Sequence, residues 1–193
     1  MLNKKWLPLI TTVSAAVISF AVYTVFAETK DRLVYIQGTI NALSPLLFLL
    51  FNRFSKRKIP LSVQMSAALF IVMASNLGTT FAFYRRVEIW DLLMHGLFGL
   101  VAAFFFYRFF IKESLFLQFF AVVGLAAFWE IFEYFADMFV GSDAQRVVIS
   151  LQNGISPVED TMTDIIVAAA TAVLFYVGVY VLRKQRPLKG QTP

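Results

Sequence analysis

Three acidic sets and one histidine carry the chemistry available to this chain. In the stretch Phe128–Asp137, Glu130, Glu133 and Asp137 stand at i, i+3 and i+7 inside an apolar, aromatic segment spanning 115–140. At about 100° per residue these positions share one helix face. Glu88, Asp91 and His95 repeat the spacing earlier, and Asp160 and Asp164 lie one turn apart with Thr161 and Thr163 between them. An ionisable group inside a membrane span costs at least about 2.5–3.5 kcal/mol. Carboxylates kept in such a segment therefore turn toward the protein interior, where they bind a cation or handle protons.

The pairs Asp91/His95, Glu130/Glu133 and Asp160/Asp164 can each address a single centre from one helix. Five carboxylates close together in a low dielectric cannot all ionise unless a cation compensates them. Oxygen ligands joined by one imidazole suit a divalent metal ion such as Mg, Mn, Zn or Fe, as one ion or two. Helical bundles that hold two metal ions use this one-turn spacing. The expected metal ligands are Asp91, His95, Glu130, Glu133, Asp160 and Asp164. Glu130 and Glu133 double as the catalytic candidates, each serving as ligand or as general base.

The elements that must position these groups are membrane spans. Of 193 residues 59% are hydrophobic, 22 are Phe and only 15% are charged, which is a membrane composition. The absence of Cys excludes disulfides and thiolate metal sites. The pattern predicts an all-α bundle of six transmembrane helices forming a single integral membrane domain over 1–193, with spans at about 6–27, 33–51, 59–84, 91–111, 115–140 and 159–182. Val25-Phe26-Ala27 resembles a signal-peptidase site, but the apolar run before it is long for a signal peptide, so the first span is expected to be retained. Pro45 should kink the second span. The region 141–157 is the one sizeable loop.

Lys4, Lys5, Arg53, Lys56, Arg57, Lys58, Arg108, Lys112, Arg183, Lys184, Arg186 and Lys189 fall on one side of such a bundle, and Lys30, Arg32, Arg85, Arg86 and Arg146 on the other. The positive-inside rule puts both termini in the cytoplasm of a bacterial inner membrane. Every acid except Glu113 then lies in the outer half or in outer loops. The net charge of +5 belongs to span ends and is no nucleic-acid signal. Short connections make spans four, five and six neighbours, so the expected product is an outward-opening cleft between them. Gly96, Gly99 and Ala168–Ala170 would let those spans pack closely.

Simpler explanations exist for single residues. His95 alone would pass as a hydrogen-bonded packing residue. Glu88, Asp137, Asp143 and Glu159 are placed to be solvated. Trp90 fits an interface anchor, Arg108 a snorkelling side chain, and Gln64 and Asn76 interhelical hydrogen-bonders. Glu130 and Glu133 could be ion-paired with Arg85, Arg86 or Arg146. Three paired sets in three consecutive spans are harder to explain in this way.

The region 85–185 resembles the YjdF-type group, an uncharacterised family of small bacterial inner-membrane proteins. The resemblance rests on Trp90-Asp91…His95…Gly99, on Glu130…Glu133 and on Asp160-Thr161…Asp164. Met162, Ile165 and Ser156-Pro157 depart from the family pattern, which has Gln, Met and Gly-Asp there. The Asp-x-x-x-His-x-x-x-Gly segment also resembles the VanZ-type membrane fold. The resemblance implies a site and leaves the reaction open.

The function expected is that of an integral membrane protein with an outward-facing Asp/Glu/His site holding a divalent metal. It would work as a hydrolase or transferase on a lipid or lipid-phosphate headgroup in the bilayer. Activation of water, or polarisation of a phosphoryl or acyl oxygen, is the chemistry such an ion supplies. One alternative is a cation- or proton-coupled transporter or sensor, which requires polar residues continuing toward the cytoplasm. Gln64 and Asn76 are the partial support for that. The other alternative is a structural membrane subunit.

Overall fold

The structure is a computed structural model describing residues 7–26, 39–40, 42–110 and 112–185. The described residues are helical, with no strand. Helix α1 (Leu7–Phe26) fills the first expected span. The start of the second span lies outside the described residues, as do Lys4, Lys5, Ala27, Lys30, Arg32, Arg186 and Lys189. Around Pro45 the chain makes a turn, with Leu47 N donating to Ser44 O at 3.0 Å, and α2 (Leu46–Phe54) follows. The basic loop after α2 is tied by its own residues. Lys58 Nζ donates to the Asn52 and Ser55 carbonyls, and Ile59 N to Asn52 Oδ1 at 2.7 Å.

Helix α3 (Leu61–Val72) begins after Pro60 and widens into a π-helical stretch, Met73–Thr80. Within it Phe81 N donates to Asn76 O at 2.9 Å, an i→i+5 bond, and Asn76 Nδ2 reaches Ser19 Oγ of α1 at 3.4 Å. The expected third span, 59–84, therefore ends early. Ala82 takes a left-handed conformation (φ 57) and reverses the chain into a one-turn helix, α4 (Phe83–Arg86). A non-glycine residue held there costs of order 1–3 kcal/mol. The turn lays Tyr84 over Gly78, where a Cβ would overlap the tyrosine ring.

Helices α5 (Trp90–Phe109), α6 (Leu115–Val140) and α8 (Pro157–Gln185) pack mutually and form the larger part of the bundle. Between α6 and α8 runs a short helix, α7 (Val147–Gln152), inside the expected loop. Each long helix presents a ridge at four-residue spacing to the other two. The ridges are Asp91-His95-Gly99-Ala103 on α5, Gln118-Val122-Ala126-Glu130 on α6 and Asp164-Ala168-Ala172-Tyr176 on α8; all of these residues are buried except the partly buried Asp91. Small residues dominate the middle of each ridge. A Cβ on Gly99 would strike the Ala168 carbonyl oxygen and Thr171 Oγ1, so α5 and α8 touch backbone to backbone there. Ala102, Ala103, Val122, Ala172 and Tyr176 close the interior below with an apolar plug.

The ends are capped locally. Ser114 Oγ accepts from Leu117 N at the start of α6, and Gly141 (φ 71) ends it in the left-handed conformation. Gln118, 1% exposed, donates to the Phe110 and Glu113 carbonyls of the α5–α6 turn. Among the described residues four helices are long and apolar enough to cross a membrane: Leu61–Thr80, Trp90–Phe109, Leu115–Val140 and Pro157–Lys184. Their outer faces carry exposed Phe128, Phe132, Phe135, Phe139, Leu174 and Leu182, surfaces suited to acyl chains.

Candidate metal centre

The ridges bring their polar ends to one place. His95 sits at the centre, 9% exposed. Its Nε2 faces two carboxylates, Asp91 Oδ1 at 3.8 Å from its own helix and Asp164 Oδ2 at 3.7 Å from α8. Its Nδ1 faces a third, Glu130 Oε1 of α6, at 3.7 Å. Asp91, His95 and Asp164 each offer one ligand atom, all within 4.8 Å of one another. None of these separations is a hydrogen bond, which needs about 2.7–3.2 Å. Glu130 is 5% exposed, and its Oε1 has no hydrogen-bond partner among the described residues. A buried carboxylate oxygen left in this way is costly unless something brings the groups together.

The remaining acids stand around this core, each held by a separate donor. Asp160, one turn before Asp164, accepts from Ser150 Oγ of α7 at 2.9 Å. Glu133 accepts from Trp129 Nε1 at 2.8 Å on the more exposed flank of α6. The acidic face of α6 therefore divides its labour. Glu130 points to the histidine, Glu133 to a tryptophan, and Asp137 to the loop beyond the helix.

Asp137 is structural. Its carboxylate accepts from Ser142 Oγ and Ala144 N, both at 2.6 Å, and from Gln145 N at 3.0 Å. These bonds fix the start of the α6–α7 loop, and the next residue, Arg146, adopts a left-handed conformation (φ 52). From there its Nη1 reaches Asp91 Oδ2 at 2.9 Å. Arg146 thus pairs with Asp91 and not with Glu130 or Glu133, while Arg85 and Arg86 are exposed. Glu88, Asp143 and Glu159 are exposed as well, outside the cluster.

Trp90 is no interface anchor. It is buried, edge-on to Phe83 with ring centroids 4.9 Å apart. Tyr84 and Ser150 contribute without any sequence signal, and Arg146, a candidate partner of Glu130 or Glu133 by sequence, pairs with Asp91 instead. Tyr84 lies outside the spans, partly buried, with its ring packed over Gly78. Burial, and then the negative charge of Asp91 and Glu133, pushes its phenol well above the ordinary value. Arg146 and Asp91 are 55 residues apart, and no spacing rule links them. The one signal was the position of Arg146 in the loop that closes over the acidic ends.

No curated protein and no solved structure matches the chain. A family described as "Predicted membrane protein (DUF2238)" matches residues 9–185, which takes in every described helix of the bundle and every residue of the acidic cluster. The chain belongs to this family of membrane proteins, and the cluster of Asp91, His95, Glu130, Asp160 and Asp164 lies within the matched region.

Proposed function

We propose that this protein is a metal-dependent membrane enzyme, a hydrolase or transferase acting on a lipid or lipid-phosphate headgroup. The observation that carries this reading is the convergence of Asp91, His95 and Asp164 on one point, with Glu130 on the other side of the imidazole. A histidine that ligates a metal through one nitrogen characteristically gives its other N–H to a carboxylate, which fixes tautomer and orientation. Two oxygens and an imidazole on one side, with a carboxylate behind the ring, suit Mg, Mn, Zn or Fe. Contraction of the group by several tenths of an ångström to about 1 Å would bring the ligand atoms to metal-bonding distances of about 2.0–2.2 Å.

A bound divalent ion would supply an activated water or a polarised phosphoryl or acyl oxygen. The chain's own residues do the rest. Asp91, His95 and Asp164 hold the ion. Glu130 positions His95. Asp160, oriented by Ser150, and Glu133, held by Trp129, are the carboxylates available to take a proton. A headgroup substrate follows from the site's place at the ends of membrane-spanning helices, with acyl chains left along the apolar faces. The arrangement fits a six-span, single-domain protein of a bacterial inner membrane, both termini cytoplasmic and the cluster at the outer surface.

A transport path is less well supported. The donors of the interior polar residues are used locally: Gln118 Nε2 by the α5–α6 turn, Gln64 Nε2 by the Ile59 carbonyl, Thr171 by Ala168 O and Tyr176 by Ala103 O, while the Oε1 atoms of Gln64 and Gln118 have no partner among the described residues. The apolar plug separates the cluster from the far end. Elemental analysis of purified protein tests the proposal. The expected result is about one equivalent of a divalent metal, lost in His95→Ala and Asp164→Asn. Metal-free protein whose thermal stability ignores chelators refutes it.

A further inference from the structure

We propose that Arg146 is the anion-recognition residue of this site and that its ligand is a phosphate-class oxyanion, carried on a lipid headgroup or free. The inference rests on the metal-site reading and adds the chemistry of the substrate. Arg146 is held over the cluster by construction. Asp137 fastens Ser142, Ala144 and Gln145 of the same loop, and Arg146, with a left-handed backbone, reaches Asp91 from there. A non-glycine residue in that conformation persists where surrounding structure enforces it.

The guanidinium is only partly used. One nitrogen, Nη1, meets Asp91 at 2.9 Å, while Nε is buried with no hydrogen-bond partner among the described residues. An arginine serving only to neutralise a carboxylate can engage it through two parallel N–H bonds. Here the approach is end-on, and a donor is left dry beside the cluster. A tetrahedral oxyanion meets both conditions. Two of its oxygens take the guanidinium fork while a third reaches the side of His95 that faces Asp91 and Asp164. Asp91 couples the two halves, because one oxygen faces Arg146 and the other faces His95.

The test uses full-length protein in phosphatidylcholine nanodiscs. Two probes are titrated, phosphatidic acid in the bilayer and inorganic phosphate in solution, with thermal midpoint and tryptophan fluorescence as readouts. Saturable binding of at least one probe is expected. Its apparent affinity should fall at least tenfold in Arg146→Gln and by less in Arg146→Lys, which keeps the charge but not the fork. It should be unchanged in Arg108→Gln at the opposite end of α5. Binding of phosphatidic acid alone assigns a lipid source, and equal binding of inorganic phosphate a free one. The inference is overturned if neither probe binds, or if Arg146→Gln binds as wild type does. Should Arg146→Gln fail to fold, wild-type affinity in Arg146→Lys overturns it instead. Metal content separates this from the parent reading. Arg146→Gln should retain its metal, whereas protein that binds phosphate through Arg146 and never holds metal would refute the metal site alone.

Discussion

The closest approach of α5 and α8 makes a quantitative demand on the site. A methyl group added at Gly99 would lie 2.9 Å from the Ala168 carbonyl carbon and closer still to its oxygen. Carbon–carbon contacts settle at about 3.5–4.0 Å and the oxygen contact is tighter still, so Gly99→Ala must part the helices by about 1 Å. The obstacle is backbone, and no rotamer change relieves it. Overpacking of this kind typically costs about 1–3 kcal/mol, or a lowering of the thermal midpoint by several degrees. The consequence for the site is sharper. His95 lies one turn from Gly99, and Asp164 one turn from Ala168, so the parting falls on the 3.7 Å separation between them. Metal-ligand distances tolerate about 0.2 Å. Gly99→Ala should therefore purify with little or no metal even where it remains folded. Gly96→Ala is the control one turn away from that contact, because its new Cβ would meet Val167 Cγ1 at 3.4 Å and Thr171 Cγ2 at 3.5 Å, ordinary packing distances. It should keep both metal and stability. Elemental analysis with a detergent thermal melt decides the matter. Wild-type metal content in Gly99→Ala would refute the dependence of the site on this helix contact.

Further substitutions separate the roles of the other groups. Asp91→Asn and Asp164→Asn should lose metal, while Asp143→Asn and Glu88→Gln, at exposed positions, should keep it; elemental analysis of all four checks the distinction. Glu130→Gln should bind metal roughly 10–100-fold more weakly, the usual effect of losing an outer-shell partner, which a chelator competition titration measures. Asp137→Ala removes three hydrogen bonds, each worth about 0.5–1.5 kcal/mol net. Hydrogen exchange should rise across residues 141–146 while α6 stays protected. Gly78→Ala should displace the Tyr84 ring and lower the thermal midpoint.

Much of this was legible in the sequence, because the membrane makes it so. Apolar runs long enough to span gave α1, α5, α6 and α8 to within two or three residues. Asp91 and His95 of α5 lie together with Asp164 of α8, since i and i+4 share a face whatever the tertiary structure, while Asp160 is bonded to Ser150. Other features depend on long-range contacts or on backbone choices that no periodicity encodes. The third span stops at Thr80 because of a π-helical stretch and a left-handed alanine. The carboxylates of α6 share a face within about 60° of rotation, yet that angle is enough to send Glu130 into the bundle and Glu133 toward Trp129. Trp90 reads as an interface residue by type and is buried because α4 folds back over it. Arg146 pairs with Asp91 through a loop whose course is set by Asp137.

The charge arrangement in the cluster favours a metal over a purely structural role. Of Asp91, Glu130, Glu133, Asp160 and Asp164, only Asp91 is paired with a guanidinium, that of Arg146, among the ion pairs of the described residues. If all were ionised, four negative charges would go uncompensated in surroundings where such an excess is expensive. A structural network would place its arginine on the most buried acid. Arg146 instead goes to Asp91, the member nearest the loop, while Asp160 and Glu133 receive neutral donors from Ser150 and Trp129. Asp164 is 6% exposed and meets the imidazole at 3.7 Å, while Glu130 Oε1 is buried with no hydrogen-bond partner among the described residues. The two buried carboxylates therefore flank His95, Asp164 on the Nε2 side, where Asp91 also points, and Glu130 on the Nδ1 side. A divalent cation on the Nε2 side reduces the excess by two and gives Asp164 and His95 a common partner. Such an ion would leave the Arg146 pair on Asp91 beside the proposed metal position.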